Sequence, residues 1–378
     1  MSFYLDEEMR NITNIKVIGV GGGGCNAVNR MIVSGLKGVE FIAMNTDAQA
    51  LLASKATHKV QLGAKLTKGR GAGADPDIGQ RAAEESRDEI ARALKGCQMV
   101  FITAGMGGGT GTGAAPIVAE VAKEQGILTV GIVTKPFNFE GKRKMTTALT
   151  GISNLLRNVD SLIVVPNERL KYVTEEKITM INAFEIADSV LKQGVESVSE
   201  LINDHAFMNL DFADIRTVMK DAGYAHMGVG QATGENKASE AAQKAIESPL
   251  LETSIDQARG VILSFISSPD IALDEVDEAA SMVTNSADPD ANVIWGISFD
   301  TNMVDTMKVT VIATGFDAPV AAQPPKEKSV LNTREEMGVK KDTNWFDVND
   351  GKGPMTNEEE DDYLNDVISI LKRNSGRN

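Results

Sequence analysis

The chain has 378 residues, of which 42% are hydrophobic and only 5% aromatic, so it can build two domains with aliphatic cores. Its net charge of −15 disfavours nucleic acid and anionic membrane surfaces as direct partners. Cys25 and Cys97 are the only cysteines, which excludes a disulfide framework. We find neither a signal peptide nor a run long enough to span a membrane, and we expect a cytoplasmic protein.

The first predicted unit is a strand, a glycine run and a helix. Residues 15–20 read as a buried strand, glycines follow at 21–24, and helical spacing covers about 27–33. The pattern Gly19-x-Gly21-x-x-Gly24 also fits a dinucleotide-binding fingerprint. An NAD-dependent dehydrogenase is therefore one interpretation of this region.

Polar side chains follow the first two strands. A second strand at 39–44 ends in Asn45-Thr46-Asp47. Asn26, Asn45 and Asp47 thus sit at or just beyond the carboxyl ends of adjacent strands, where open α/β sheets bind ligands. Asp47 could contact a ribose hydroxyl or cap a helix at 48–53, and the two roles are compatible.

Two further glycine-rich loops precede helices. Residues 69–76 lead into helical spacing at 78–94, and a buried strand at 99–104 leads through the glycines of 105–113 into a helix from Ala114. Glycine lets the backbone approach a ligand, and helix amino ends favour phosphate. A flexible linker would not be flanked by a buried strand and a helix, and no Walker sequence is present. Three such loops predict a polyphosphate held from several sides.

The next two strands again end in polar residues. One ends at Thr134 and is followed by Glu140 and a basic cluster at 142–144, which either neutralises phosphate or is a solvated helix start. The strand at 162–166 ends at Asn167. Five buried strands alternating with helices predict an α/β fold with a doubly wound parallel sheet.

A long helix is predicted over 178–203. It would span on the order of 35–40 Å, more than one sheet-covering helix needs, so we expect it to form the axis between two domains. Phe184 could stack on a base while Asp188, one turn on, accepts hydrogen bonds from it. In the alternative, Phe184 lies in the core and Asp188 in solvent.

Asp211 and Asp214 lie three residues apart at a helix start, so their carboxylates can share one face. Asp211 could cap the helix and Asp214 complement its dipole. Alternatively, the pair positions a water molecule and a metal ion. Because an unperturbed aspartate has a pKa of about 3.9 and is a poor base, orienting water is the chemical role we expect.

The second half of the chain predicts a smaller α+β domain. Strands are expected at 224–234, 260–267, 292–299 and 307–314, and helices at 235–248 and 271–284. After them, a Pro-containing, charged segment predicts a flexible linker. An amphipathic helix then begins at Glu358, and it could fit another protein's groove or dock on its own domain.

Two motifs resemble those of the tubulin superfamily, and most closely its GTPases of bacterial cell division. Residues 107–113, Gly-Gly-Gly-Thr-Gly-Thr-Gly, resemble the signature loop, and 209–214, Asn-Leu-Asp-Phe-Ala-Asp, resemble the synergy loop. The resemblance covers about residues 12–315. The domains it implies are a GTP-binding domain (12–177), a central helix (178–203), a C-terminal α+β domain (204–318), a flexible linker (319–357) and an interaction tail (358–378).

The resemblance also implies roles for individual residues. The phosphates would be held by Gly21, Gly22, Asn26, Ala72, Gly73, Ala74, Gly105, Met106, Gly107, Gly108, Gly109, Thr110 and Gly111. Ribose and phosphate would be surrounded by Asn45, Asp47, Thr134, Glu140 and Lys144. Guanine would be recognised by Asn167, Phe184 and Asp188. The family usually has arginine where this chain has Lys144, which lacks the bidentate fork of a guanidinium.

In the family, subunits stack head to tail, and Asn209, Asp211 and Asp214 would act catalytically on a neighbour's nucleotide. The implied protein is a GTPase that takes GTP or GDP with Mg²⁺ and forms a homopolymer, the cytokinetic ring at mid-cell. Its tail would bind membrane-anchoring and regulatory division proteins, although it lacks the family's usual proline. A polymer subunit that hydrolyses GTP slowly or not at all is the third interpretation. Cys25 is expected to be unreactive while nucleotide covers it.

Overall fold

A computed structural model describes residues 13–172, 178–179, 182–202, 207–251, 254–301 and 303–316. The predicted linker and tail lie outside these ranges. Within them, no helix combines the length and the apolar character needed to cross a membrane.

The described residues form one ten-stranded sheet with helices on its faces. The strands are β1 (Ile15–Val20), β2 (Glu40–Asn45), β3 (His58–Gln61), β4 (Met99–Gly105), β5 (Leu128–Lys135), β6 (Ser161–Pro166), β7 (Gly223–Thr233), β8 (Gly260–Ser267), β9 (Asn292–Phe299) and β10 (Thr306–Thr314). The helices are α1 (Gly21–Val33), α2 (Ala48–Ala53), α3 (Ala64–Thr67), α4 (Pro76–Glu85), α5 (Arg87–Leu94), α6 (Thr110–Glu124), α7 (Lys142–Leu156), α8 (Ala183–Ile202), α9 (Phe212–Met219), α10 (Lys237–Ile246) and α11 (Leu273–Ser286).

The strand order is β3-β2-β1-β4-β5-β6-β7-β10-β8-β9. Neighbours from β3 to β7 are parallel, whereas β10 runs antiparallel to both β7 and β8. The predicted doubly wound parallel sheet and α+β part are confirmed, but they share one continuous sheet. The junction is short, since β6 pairs with β7 only from Ser161 to Ile163.

Buried aliphatic residues explain why the parallel strands form. Every residue of β1 is buried, as expected for a strand covered on both faces. One core lies between the sheet and α1 and α8, and a second lies beneath α4, α5, α6 and α7. A third core joins α10 and α11 to the antiparallel strands.

Two helices begin earlier than the sequence predicts. Helix α1 begins at Gly21 and α6 at Thr110, so glycines assigned to loops belong to the first helical turns. Packing around the first turn of α6 is close, since a Cβ on Gly111 would lie 2.8 Å from the carbonyl oxygen of Gly105. Pro116 therefore lies inside α6 and not in its first turn.

The predicted helix over 78–94 is two helices, α4 and α5, which meet at Ser86. The hydroxyl oxygen of Ser86 accepts a hydrogen bond from the N–H of Gly63 at 2.9 Å. Strand β3 was missed, because Val60 is its only buried residue and the segment shows no apolar alternation.

Candidate functional site

Three turns meet at the carboxyl edge of the parallel strands. The turns after β1 and β4 are neighbours because these strands pair, and a Cβ on Gly21 would lie 2.8 Å from the backbone nitrogen of Gly111. The turn before α4 joins them, since a Cβ on Gly109 would lie 2.8 Å from the nitrogen of Asp75. The structure therefore brings the three predicted glycine loops together.

Each loop also keeps one glycine open. A Cβ on Gly22, Gly73 or Gly108 would meet no other heavy atom of the described residues within 4 Å. Ala74, next to Gly73, has φ of 63°, a left-handed conformation that costs an alanine conformational energy. Tight packing on one side and open space on the other form a cradle that a larger side chain would fill.

Helices α1 and α6 point uncapped amino ends at this edge. Neither N-cap makes a side-chain hydrogen bond, and neither first turn contains an acidic residue. By contrast, the α4 cap residue Asp75 accepts a hydrogen bond from the N–H of Asp77. Uncapped N–H groups at helix amino ends are an anion site, so α1 and α6 can bind phosphate oxygens.

The residues after β2 are held by local hydrogen bonds. Asp47 caps α2, since its carboxylate accepts from the N–H groups of Gln49 and Ala50. Asn45 is buried, and its side-chain oxygen accepts from the N–H of Asp47 at 3.2 Å. The capping alternative is therefore correct for Asp47, while ribose contact stays a prediction.

Glu140 and Lys144 form an ion pair beside the signature loop. The other carboxylate oxygen of Glu140 accepts from the N–H of Phe137 at 2.9 Å. The Lys144 stem lies against Gly107, since a Cβ there would be 2.8 Å from Lys144 Cγ. Thr134 is buried next to Gly105, 3.7 Å from the Cβ position of that glycine.

A second pocket lies between α1 and α8. Its lining includes Asn26, Arg30, Phe184, Glu185 and Asp188. Phe184 is 46% exposed, whereas Asp188 is only 9% exposed. The alternative that places Phe184 in the core and Asp188 in solvent is therefore wrong on both counts.

Arg30 lines this pocket but is not among the residues predicted from the sequence. Its Nε donates to Asp188 and its terminal nitrogen to Glu185, both at 2.9 Å. Burial raises the pKa of Asp188 to about 6, and Arg30 opposes that rise. The available signal was helical spacing, because Arg30 lies four residues after Asn26 on the same helix.

Asn167 directly follows β6 and is 4% exposed. Its side-chain oxygen has no hydrogen-bond partner among the described residues. Leaving a buried acceptor unpaired costs on the order of 1–3 kcal/mol. A ligand donor would remove that cost.

The predicted catalytic residues Asn209, Asp211 and Asp214 lie elsewhere. All three are exposed, and Asp211 caps α9 by accepting from the N–H of Ala213 at 3.1 Å. Their loop is held at the carboxyl end of α8, where the N–H of Leu210 donates to the carbonyl of Leu201 at 2.8 Å.

Helix α9 then runs toward the amino edge of the sheet. The carbonyl of its last residue, Met219, accepts from the hydroxyl of Ser161, the first residue of β6. About 20 Å of α8 separates Asp188 from Leu201. The structure therefore does not bring the aspartate pair to the glycine loops of the same chain.

Cys25 is buried by the protein itself. Its thiol donates to the carbonyls of Gly19 and Met44 at 3.5 and 3.8 Å, and burial raises its pKa to about 12. A thiol with so high a pKa is almost entirely protonated and unreactive. The predicted inertness therefore does not require a bound nucleotide.

Comparison with known proteins agrees with this geometry. Residues 14–175 match the GTPase domain of the Tubulin/FtsZ family, and residues 223–317 match the C-terminal domain of the FtsZ family. An empty FtsZ dimer from M. jannaschii is 43% identical, with a TM-score of 0.77; the match covers 80% of this chain and 88% of that one. The chain belongs to the FtsZ family.

Two other solved structures are similar to this FtsZ-family chain. A mutant FtsZ from M. jannaschii is 42% identical, covering 80% of this chain and 91% of that chain, with a TM-score of 0.78. CetZ2 from Haloferax volcanii, solved as a protofilament with GTPγS, is 19% identical, with a TM-score of 0.66 over 81% of this chain and 94% of that chain. At this low identity, the CetZ2 structure shows only that the two proteins share a fold.

Proposed function

We propose that this FtsZ-family GTPase binds GTP at the carboxyl edge of its parallel sheet and polymerises head to tail. The loop from Asn209 to Asp214 of one subunit completes hydrolysis at the nucleotide of the next. The supporting observation is the placement of the two groups at opposite ends of α8. A contact that joins unlike surfaces without closing a ring extends into a filament. An FtsZ dimer and a CetZ2 protofilament among the similar structures support self-association.

The nucleotide would lie along the carboxyl edge. The open glycines Gly22, Gly73 and Gly108 and the amino ends of α1 and α6 would hold the phosphates. Asn45, Asp47 and Thr134 would contact the ribose side. Guanine would meet the ring of Phe184, the carboxylate of Asp188 and the unpaired oxygen of Asn167.

Mg²⁺ fits this site as a companion of the triphosphate. Across the described ranges, no group of three or more His, Cys, Asp or Glu residues could hold a metal ion, and Mg²⁺ typically binds through phosphates, waters and one or two carboxylates. Bound there, it would neutralise charge on the phosphates. Hydrolysis by positioning and charge stabilisation then requires the backbone N–H groups, Lys144 and a water molecule oriented by Asp211 and Asp214 of the neighbour.

The cellular role follows from family membership. We propose a cytoplasmic protein of the mid-cell cytokinetic ring, whose segment 358–378 binds membrane-anchoring and regulatory division proteins. The domain limits predicted from the sequence belong to the same proposal, except that the central helix begins at Ala183 and not at residue 178. A dehydrogenase would leave the loop at 107–113 and the aspartate pair without a role.

The test is phosphate release from GTP against protein concentration. We expect specific activity to rise steeply above a threshold, because the site needs two subunits. The variants Asp211→Ala and Asp214→Ala should bind GTP but fail to turn it over. Asp211→Asn is the informative companion, since asparagine keeps the helix cap but removes the charge.

Activity that is flat with dilution, or normal hydrolysis by both alanine variants, would place the chemistry within one chain. Normal turnover by Asp211→Asn with loss in Asp211→Ala would identify Asp211 as a cap only. Asp274→Ala, an exposed aspartate in the first turn of α11, controls for a general helix-dipole effect and should leave turnover unchanged.

A further inference from the structure

Phe137, between β5 and α7, is a buried ring packed against two exposed rings. It is 2% exposed, whereas Phe139 and Phe184 are 56% and 46% exposed. Phe137 stacks on Phe139 with centroids 5.2 Å apart, and it meets Phe184 edge to face at 5.5 Å and 89°. The ring that we assign to guanine therefore rests on Phe137.

The backbone of Phe137 is tied to the phosphate side. Its N–H donates to the Glu140 carboxylate at 2.9 Å, and its carbonyl accepts from the N–H of Glu140 at 3.1 Å. The same carboxylate group pairs with Lys144, whose stem packs on Gly107. A continuous series of contacts thus runs from the base pocket to the signature loop.

We propose that Phe137 is a positioning residue that couples base recognition to the phosphate loop. Its ring fixes the orientation of Phe184, and its backbone fixes the Glu140–Lys144 pair. The inference rests on the proposed function, because it assigns Phe184 to the base and Lys144 to the phosphates. Edge-to-face aromatic pairs prefer a defined geometry and stabilise more than their buried area alone.

The test measures GDP binding to the full chain below its assembly concentration. Phe137→Leu should weaken GDP binding about 2- to 10-fold, the range expected for loss of one aromatic pair. Phe184→Leu should also weaken it. Phe137→Leu should weaken GDP binding by a smaller factor in the Phe184→Leu variant than in the wild-type chain, because the ring that Phe137 positions is already gone.

Guanosine, which has no phosphate groups, serves as a second ligand that reports on the base pocket without the phosphate loop. Phe137→Leu should lose more affinity for GDP than for guanosine, because the smaller side chain lets the backbone of residue 137 shift and the Glu140–Lys144 pair shifts with it. Phe184→Leu should lose the same factor for both. Phe101→Leu is the matched control, because Phe101 is a fully buried ring in the same core, and it should change GDP affinity less than twofold. If Phe137→Leu folds poorly, Phe137→Met has about the same volume but a longer, more flexible side chain that fills irregular gaps, and it should behave alike.

Equal losses of GDP affinity in Phe137→Leu and Phe101→Leu would overturn the proposal, since both substitutions would then only loosen the core. Fully additive effects of Phe137→Leu and Phe184→Leu would overturn it too. A wild-type chain that does not bind GDP would instead refute the proposed function. Wild-type binding that Phe184→Leu weakens and Phe137→Leu leaves intact would refute only the role of Phe137.

Discussion

The two ends of α8 differ in what they offer a nucleotide. At the amino end, Phe184 and Asp188 face Arg30 in an open pocket beside three glycine loops. At the carboxyl end, Leu201 holds the loop that presents Asp211 and Asp214 to solvent.

Three of the carboxylates near the glycine loops are already engaged. Asp47 caps a helix, Glu140 pairs with Lys144, and Asp188 pairs with Arg30. Under the proposed function, the amino end would hold the nucleotide, and the carboxyl end would supply the carboxylates that orient water. Each chain would thus contribute two half-sites, and each would be completed by another copy.

Mixing two inactive variants tests this division most severely. Gly108→Glu would put a carboxylate into the open phosphate cradle, and Asp214→Ala would remove a water-orienting group. Each alone should show only background phosphate release. A 1:1 mixture should recover roughly a quarter of wild-type activity, the share of junctions in a random head-to-tail polymer that join two intact ends.

The control mixture combines Asp214→Ala with the double variant, which leaves no intact junction and should stay at background. A 1:1 mixture of the single variants that also stays at background, although both are incorporated into polymer, would show that the ends do not cooperate between chains.

Glycines of the cradle provide the second test. Gly22→Ala and Gly108→Ala add a Cβ in open space, so the free energy of unfolding should change little while GDP affinity falls tenfold or more, because even one methyl group obstructs the close approach of phosphate. Gly24→Ala should instead destabilise the fold by several kcal/mol, since its Cβ would overlap the Thr103 carbonyl.

Thermal unfolding and GDP titration of the three glycine variants separate the two effects. Equal loss of stability in all three would mean that the cradle is packed rather than open.

The third comparison concerns an acid near each end of α8 whose pKa is raised, Asp188 and the half-buried Glu200. Glu200 lies in a cleft with Glu196, Lys192, Lys308 and Asp300, and burial raises its pKa from 4.5 to about 7. The folded state therefore binds the proton of Glu200 more tightly than the unfolded state does. Proton binding stabilises the fold fully below pH 4.5, and this stabilisation is lost as pH rises through about 7.

Glu200→Gln should consequently be more stable than wild type by about 2 kcal/mol at pH 8, with the difference shrinking toward pH 5. Urea unfolding at both pH values measures it. Glu278→Gln, at an exposed site on α11, should show no such dependence. A pH-independent gain in Glu200→Gln would contradict the ionisation argument.

The smallest expected effect concerns Asp188. Burial raises its pKa to about 6 and Arg30 limits that rise, and the ionised carboxylate is the form that accepts hydrogen bonds from a base. Wild-type GDP affinity should fall as pH drops through about 6. Arg30→Gln should move that fall to higher pH, with about threefold weaker binding at pH 7 and recovery at pH 8.5.

GDP titrations across this pH range decide the point. A uniform loss at every pH would mean that Arg30 contacts the ligand directly and does not act through Asp188.

The sequence predicts the parallel half of the fold well, because strands buried on both faces are continuous apolar runs. It could not predict the joining of the two sheets. The β6–β7 pairing rests on three residue pairs about 60 positions apart in sequence, such as Ser161 with Gly223, and no local pattern encodes it.

The glycine loops could be located because each stands between a strand and a helix. Arg30 could not be assigned in the same way, since its partners Glu185 and Asp188 lie more than 150 residues later. The position of the aspartate pair relative to the cradle also depends on the whole length of α8.

The sheet order has a consequence for biosynthesis. Strand β10 is the last described strand to leave the ribosome, yet it lies between β7 and β8. Until it emerges, each of those strands has an unpaired edge of N–H and C=O groups that can recruit other nascent chains. A chain whose translation stalls before Thr306 would carry both open edges, so we expect such fragments to be aggregation-prone targets for chaperones and proteases.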